Sequence, residues 1–179
     1  MRTLVVFESM FGNTQEIATA VADGLSSHLS VDVVEVGAAS TGIGDDVELL
    51  VVGGPTHAFG LSRPGTRQSA AEQAEEDLVS AGIGLREWLA AMPALHGGSR
   101  RVAAAAFDTR VKKPGLPGSA ARAAGKRLRR LGYRLVVRPA SFYVAGTPGP
   151  LLPGERERAR TWGEKLGSEF AARHPGRVS

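Results

Sequence analysis

The chain has 179 residues, 42% of them hydrophobic and 22% charged, with a formal net charge of +4. That is enough for one domain with a sizeable core, in a composition ordinary for a water-soluble protein. The absence of cysteine excludes disulfides, thiolate catalysis, Cys-ligated zinc and iron–sulfur clusters, and four widely spaced histidines argue against a histidine-rich metal site.

Residues 3–7 (Thr-Leu-Val-Val-Phe) read as a short strand buried on both faces, as in a parallel sheet. Residues 14–28 place Ile17, Ala18, Val21, Ala22 and Leu25 at helical spacing, with Asn13 or Thr14 as the expected N-cap. Strands are predicted over 31–36 and 47–53. The long polar segment 54–82 follows, partly helical between Thr66 and Leu78. A helix over 83–92 is stopped by Pro93. The alanine run in 101–107 suits a helix by propensity but a buried strand by position. A basic amphipathic helix over 118–131 ends before Gly132, a final strand covers 133–144 with a break expected at Pro139, and the last helix covers 154–173.

This alternation implies an α/β fold with one parallel sheet and helices on both faces. A single domain is expected over residues 1–174, with 175–179 a frayed tail. No apolar run reaches the roughly 20 residues of a membrane span, and the apolar start is too short for a signal-peptide core, so a cytoplasmic location is the default expectation. Basic residues gather in Arg100–Arg101, Arg110–Lys113 and Arg122–Arg138. With no RNP, zinc-finger or clear helix-turn-helix pattern, these read as a solvated basic face rather than a nucleic-acid site.

In open α/β sheets, ligands bind beyond the carboxyl ends of the strands. The loop after the first strand, Glu8-Ser9-Met10-Phe11-Gly12-Asn13-Thr14, has two hydroxyls, an amide and a glycine directly before a helix. Unpaired N–H groups at a helix start suit a phosphate, and with no Lys or Arg the cradle would be neutral. It is neither a Walker A loop nor a Gly-x-Gly-x-x-Gly fingerprint.

Here the chain resembles the flavodoxin family. The FMN-phosphate signature of that family requires two aliphatic residues, an aromatic, any residue, Ser or Thr, two of any kind, a small residue, any residue, Thr, three of any kind, Ala, two of any kind and an aliphatic. Val5 to Val21 satisfies every specified position. The resemblance implies a three-layer, doubly wound, five-stranded parallel sheet of order 2-1-3-4-5 with FMN as cofactor. It places Ser9, Met10, Phe11, Gly12, Asn13 and Thr14 around the FMN phosphate and ribityl chain. Glu8 is awkward beside a phosphate and is expected to point away or to tune the site.

By the same resemblance, the loop after strand three (Pro55, Thr56, His57, Ala58, Phe59, Gly60) would lie against the isoalloxazine ring, with Phe59 the candidate for stacking. After strand four, Asp108 and Thr109 would meet the pyrimidine edge of the flavin. Arg110 would pair with its N1 side, where negative charge develops on reduction. The tyrosine that flavodoxins often place here is missing, which is the clearest departure from the family pattern. Arg63 and Arg67 in the long segment are candidates for meeting an acidic partner or the exposed edge of the flavin. Gly146–Pro150 reads as a structural turn.

The function expected from this is electron carriage through FMN between redox partners, with no catalytic side chains. The basic balance points to a partner protein with an acidic surface. Two alternatives stay open. One is an FMN-dependent NAD(P)H:quinone-type oxidoreductase acting on a small quinone-like acceptor; the other is a scaffold of this fold that has lost FMN.

Overall fold

The computed structural model describes residues 2–95 and 102–174. In chain order the elements are β1 (Arg2–Phe7), α1 (Asn13–Leu25), β2 (Ser30–Glu35), β3 (Val47–Pro55), α2 (Pro64–Gln73), α3 (Leu85–Ala91), β4 (Ala103–Val111), α4 (Ala120–Arg130), β5 (Arg134–Leu135), β6 (Ala140–Val144) and α5 (Glu155–Ala172). Every strand pairing is parallel, in the order β2-β1-β3-β4-β5, with β6 also on β4.

Successive strand residues point to opposite faces, so two cores form. Leu4, Val6, Leu50, Val52, Ala104 and Ala106 meet Trp88, Leu89 and Leu128 of α3 and α4 on one side. Val5, Phe7, Leu49, Val51, Ala105 and Phe107 meet Ile17, Val21, Leu25, Leu166 and Phe170 of α1 and α5 on the other. Burial of each large side chain stabilises the fold by about 1.5–3 kcal/mol. The alanine run is a strand because its methyl groups alternate between the two cores, and their small size suits close helix packing.

Two strand ends run past the predicted ones, and both matter to the site. The third strand runs on to Pro55, and the fourth runs to Val111 rather than stopping at Phe107. Both extend because Gly53, Gly54 and Pro55 pair in register with Phe107, Asp108 and Thr109. The final strand is broken as expected: Arg134–Leu135 pairs with Ala103–Ala104, and Ala140–Val144 pairs with Phe107–Val111. The break falls at Pro139, which has no N–H for the ladder. The sheet therefore has six strands by count, not the five expected.

Helices α1 and α5 cross in close contact. A Cβ on Gly24 would sit 2.1 Å from the Arg160 carbonyl oxygen, and one on Gly163 would sit 2.2 Å from that of Val21. Only glycine allows the two backbones this near each other, so the direction of α1 is set by α5.

Candidate functional site

The loop between β1 and α1 is held from within by Ser9, which is fully buried. Its Oγ accepts from the N–H of Gly12 (3.1 Å) and of Gln15 (3.3 Å). The helix does not begin with the predicted side-chain cap. Gly12 is the N-cap, at φ 93°, and no side chain bonds to the first turn from that position. Asn13 instead donates its Nδ2 to the Pro148 carbonyl (3.1 Å), and the Thr14 hydroxyl lies 2.7 Å from that of Thr109.

The amides of Met10, Phe11, Asn13 and Thr14 have no hydrogen-bond partner among the described residues. The Thr14–Thr109 pair has two hydroxyl protons and uses one internally, which leaves the other for a ligand. The donor set is neutral, concentrated at a helix N-terminus and unengaged. It fits a phosphate monoester.

Glu8 is turned out of this loop. It is fully buried, and its carboxylate accepts from the Ser62 hydroxyl and from the Leu85 N–H (2.8 Å). Burial pushes its pKa above the ordinary carboxylate value, against the lowering effect of Ser62, Leu85 and Arg67. Arg67, expected at a partner or flavin edge, is turned inward: its Nη1 meets Ser62 Oγ at 2.9 Å and Glu87 at 3.2 Å. Arg63 is exposed.

A cleft opens beside the loop, lined by Ser9, Met10, Phe11, Asn13, Thr14, Pro55, Thr56, His57, Thr109, Arg110, Val111, Val144 and Thr147. Ten of the residues named from the sequence thus come together. Gly12 stands behind them as the cap. Ala58, Phe59 and Gly60 do not line this cleft. They form a tight turn closed by reciprocal His57–Gly60 backbone bonds of 2.8 and 3.0 Å, with Ala58 and Phe59 at φ 43° and 74°. Phe59 is 57% exposed on that turn. The His57 Nδ1 lies 3.1 Å from Thr66 Oγ1, and burial, with Arg67 nearby, lowers its pKa, which favours the neutral ring.

Asp108 faces away from the cleft. Its Oδ2 accepts from Thr56 Oγ1 (3.0 Å), Ser119 Oγ (2.5 Å) and the Ala121 N–H (3.0 Å), tying β3 to the start of α4. Thr56 completes the knot by accepting from the Ala120 N–H at 3.0 Å. Arg110 has its guanidinium on the carbonyl oxygens of Leu116 and Gly118, at 2.7 Å each, where it braces the β4–α4 loop. Three lining residues were not named from the sequence: Val111, Val144 and Thr147. The last stands in the turn that had read as structural. Its only sequence signal is that it follows the final strand at the same end of the sheet. Among the described residues, no group of acidic or histidine side chains could hold a metal, and no helix is long and apolar enough to cross a membrane.

Comparison with known proteins adds an independent line. The flavodoxin family model matches residues 5–162. A search of curated proteins returned no matching sequence. Among solved structures, oxidised flavodoxin 1 from Bacillus cereus superposes with a TM-score of 0.63 at 16% identity, covering 96% of this chain and 98% of that one. A flavodoxin from Streptococcus pneumonia gives 0.62 at 20% identity, covering 94% and 99%. The flavodiiron protein from Giardia intestinalis gives 0.59 at 18% identity, covering 96% of this chain but 36% of that one. At these identities the structures attest the fold.

Proposed function

The chain belongs to the flavodoxin family, and on that footing we propose that it holds FMN in the cleft above β1, β3 and β4 and carries electrons between protein partners. One observation carries the reading: the unengaged amides of Met10, Phe11, Asn13 and Thr14 converge in an uncharged loop at the α1 N-terminus. When bound, FMN would supply the redox chemistry, and the protein would supply binding, orientation and electrostatics.

The residues divide the work. Ser9 holds the loop open, and Thr14 with Thr109 offers a hydroxyl donor. Pro55–His57 and Thr109–Val111 form the walls for the ring, and Thr147 closes the far side. Arg110 contributes positive charge near that wall while its donors stay on loop carbonyls. His57 enters as a neutral ring, so it adds no charge to the cleft.

Titration with FMN, followed by absorbance and calorimetry, tests this at near-physiological salt. One equivalent should bind, and riboflavin, which lacks the phosphate, should bind at least tenfold more weakly by the worth of one or two charge-assisted hydrogen bonds, about 1.5–3 kcal/mol. Equal affinity for the two would move the phosphate out of the loop.

A second reading rests on the β4–α4 loop, Lys112–Ser119, which contains no aromatic residue to cover the ring. An open face would admit a small quinone-like acceptor. Steady-state NAD(P)H oxidation with a quinone, without any added reductase, separates the two, since a carrier turns over almost none.

A further inference from the structure

Charge is distributed along this chain in blocks. Residues 1–108 hold six Lys and Arg against fourteen Asp and Glu, whereas residues 109–154 hold ten Lys and Arg and no acidic residue. Asp32 and Glu35 lie on the edge strand β2, Asp45 and Asp46 come directly before the inner strand β3, with Asp32 and Asp46 paired to Arg2, and the basic block runs from the end of β4 through α4, β5 and β6.

Helix α4 buries Ala120, Ala121, Ala124, Gly125 and Leu128 and exposes Arg122, Lys126, Arg129 and Arg130 in one stripe. None of these four makes an ion pair among the described residues, whereas on α5 Arg158, Arg160 and Arg173 are each paired with a glutamate. Arg127 is half-buried and donates to the carbonyls of Leu89 and Ala90, so it belongs to the packing. Arg129 and Arg130 complement the helix dipole in the last turn. Arg122 stands in the first turn, where the dipole disfavours a cation, and Lys126 repels it from one turn away. Helix stability does not account for that pair.

The stripe begins at the cleft. The amides of Ala120 and Ala121 bond to Thr56 and Asp108, and Lys112 and Lys113 are exposed directly after the lining residue Val111, with the Lys112 ammonium 5.7 Å over the Tyr143 ring, near Glu155. The other lip is acidic: Met10 and Phe11 share a neighbouring hollow with Glu75, Glu76 and Asp77.

We propose that Lys112, Lys113, Arg122 and Lys126 form the docking face for a redox partner that presents a compact acidic patch. This rests on the electron-carrier reading and places the partner at the lip of the FMN cleft. The acidic opposite lip disfavours an extended polyanion such as duplex DNA, and the charge separation orients an acidic protein as it approaches.

Two variants matched in charge change test the face. Arg122→Glu with Lys126→Glu lies on it, and Arg156→Glu with Lys165→Glu lies on exposed positions of α5. Probes are the acidic haem domain of a b-type cytochrome, basic cytochrome c and a short DNA duplex. Binding is read by calorimetry with the FMN-free chain, and electron exchange by stopped flow with the reduced FMN-bound protein, where one electron passes to the ferric haem. The wild type should favour the acidic haem protein, with an association rate that falls roughly tenfold or more from low to physiological salt. The α4 variant should lose about tenfold in binding and rate, and the α5 variant should keep both. Equal behaviour of the two variants, or duplex DNA that displaces the acidic protein, overturns the docking face. Failure to load FMN would instead overturn the carrier reading, while the binding arm with FMN-free chain still decides the face.

Discussion

The loop side of the cleft, proposed for the phosphate, is organised by Ser9, whose hydroxyl accepts from N–H groups three and six residues along the chain and whose backbone pairs with Ser80, and the side proposed for the ring is organised by Asp108, whose Thr56 and Ala121 partners are 52 and 13 residues away. On the first side the backbone amides are left without partners. On the second, Thr56, Asp108, Ser119 and Arg110 are engaged with one another or with loop carbonyls, and His57 with the Thr66 hydroxyl. A short loop at a helix start cannot satisfy its own first amides, so it stays ready for an anion. A wall built from distant segments must first be held together, and its polar groups are used for that. Ligand affinity and fold stability are thus assigned to different sides.

Asp108→Ala tests the division most severely. It removes the acceptor from three donors in a buried knot, and folding stability should fall by about 3 kcal/mol. The loss stays short of the largest known for buried charges because Oδ1 is buried with no partner among the described residues. Urea unfolding of the FMN-free protein measures it. FMN affinity of the folded fraction should fall less than tenfold, and a change below about 1 kcal/mol in stability would make the knot dispensable.

Thr14→Val acts on the other side. It deletes a donor and leaves the Thr109 hydroxyl unpaired, so FMN affinity should fall about tenfold while stability drops by roughly 1 kcal/mol. Thr14→Ser should restore both. Fluorescence titration with FMN and riboflavin in parallel reads the effect, and a loss shared equally by the two ligands would assign Thr14 to the wall instead.

The smallest effects are in pH dependence, where the two sides have opposite slopes. Burial raises the pKa of Glu8, so its stabilising contribution is full below the ordinary value of 4.5 and is lost as pH climbs through the raised value. Burial lowers that of His57, so its contribution is full above 6.5 and is lost as pH falls through the lowered value. Urea midpoints across the acid to neutral range should show Glu8→Gln flattening the first trend and His57→Gln the second. Unaltered profiles in both variants would remove these groups from the account.

How much could be read in advance follows the same division. Val5 to Val21 carried the family resemblance in contiguous residues, because one strand, one loop and one helix start make that stretch. The order of strands followed from alternating elements, and Pro139 marked the broken edge by its missing donor. Asp108 was expected at the ligand, but β4 runs four residues past Phe107 and Asp108 turns to the start of α4, while Arg110 lines the cleft with its guanidinium held on loop carbonyls. Their partners are fixed by pairings that no local pattern encodes. Thr147 was passed over because the Gly-Pro-rich turn around it has a sufficient local explanation. The side-chain cap expected at Asn13 or Thr14 failed because Pro148 and Thr109, distant in sequence, claim those two side chains.

The glycine crossing of α1 and α5 bears on when the protein can acquire its ligand. The loop that opens α1 takes its bearing from a helix encoded near the end of the described chain, and Asn13 is tethered to Pro148, just before that helix. During synthesis, the first strand, loop and helix leave the ribosome long before their counterpart does. If the cleft holds FMN as proposed, a nascent chain arrested before residue 155 carries the complete signature but lacks the helix from which the loop takes its bearing.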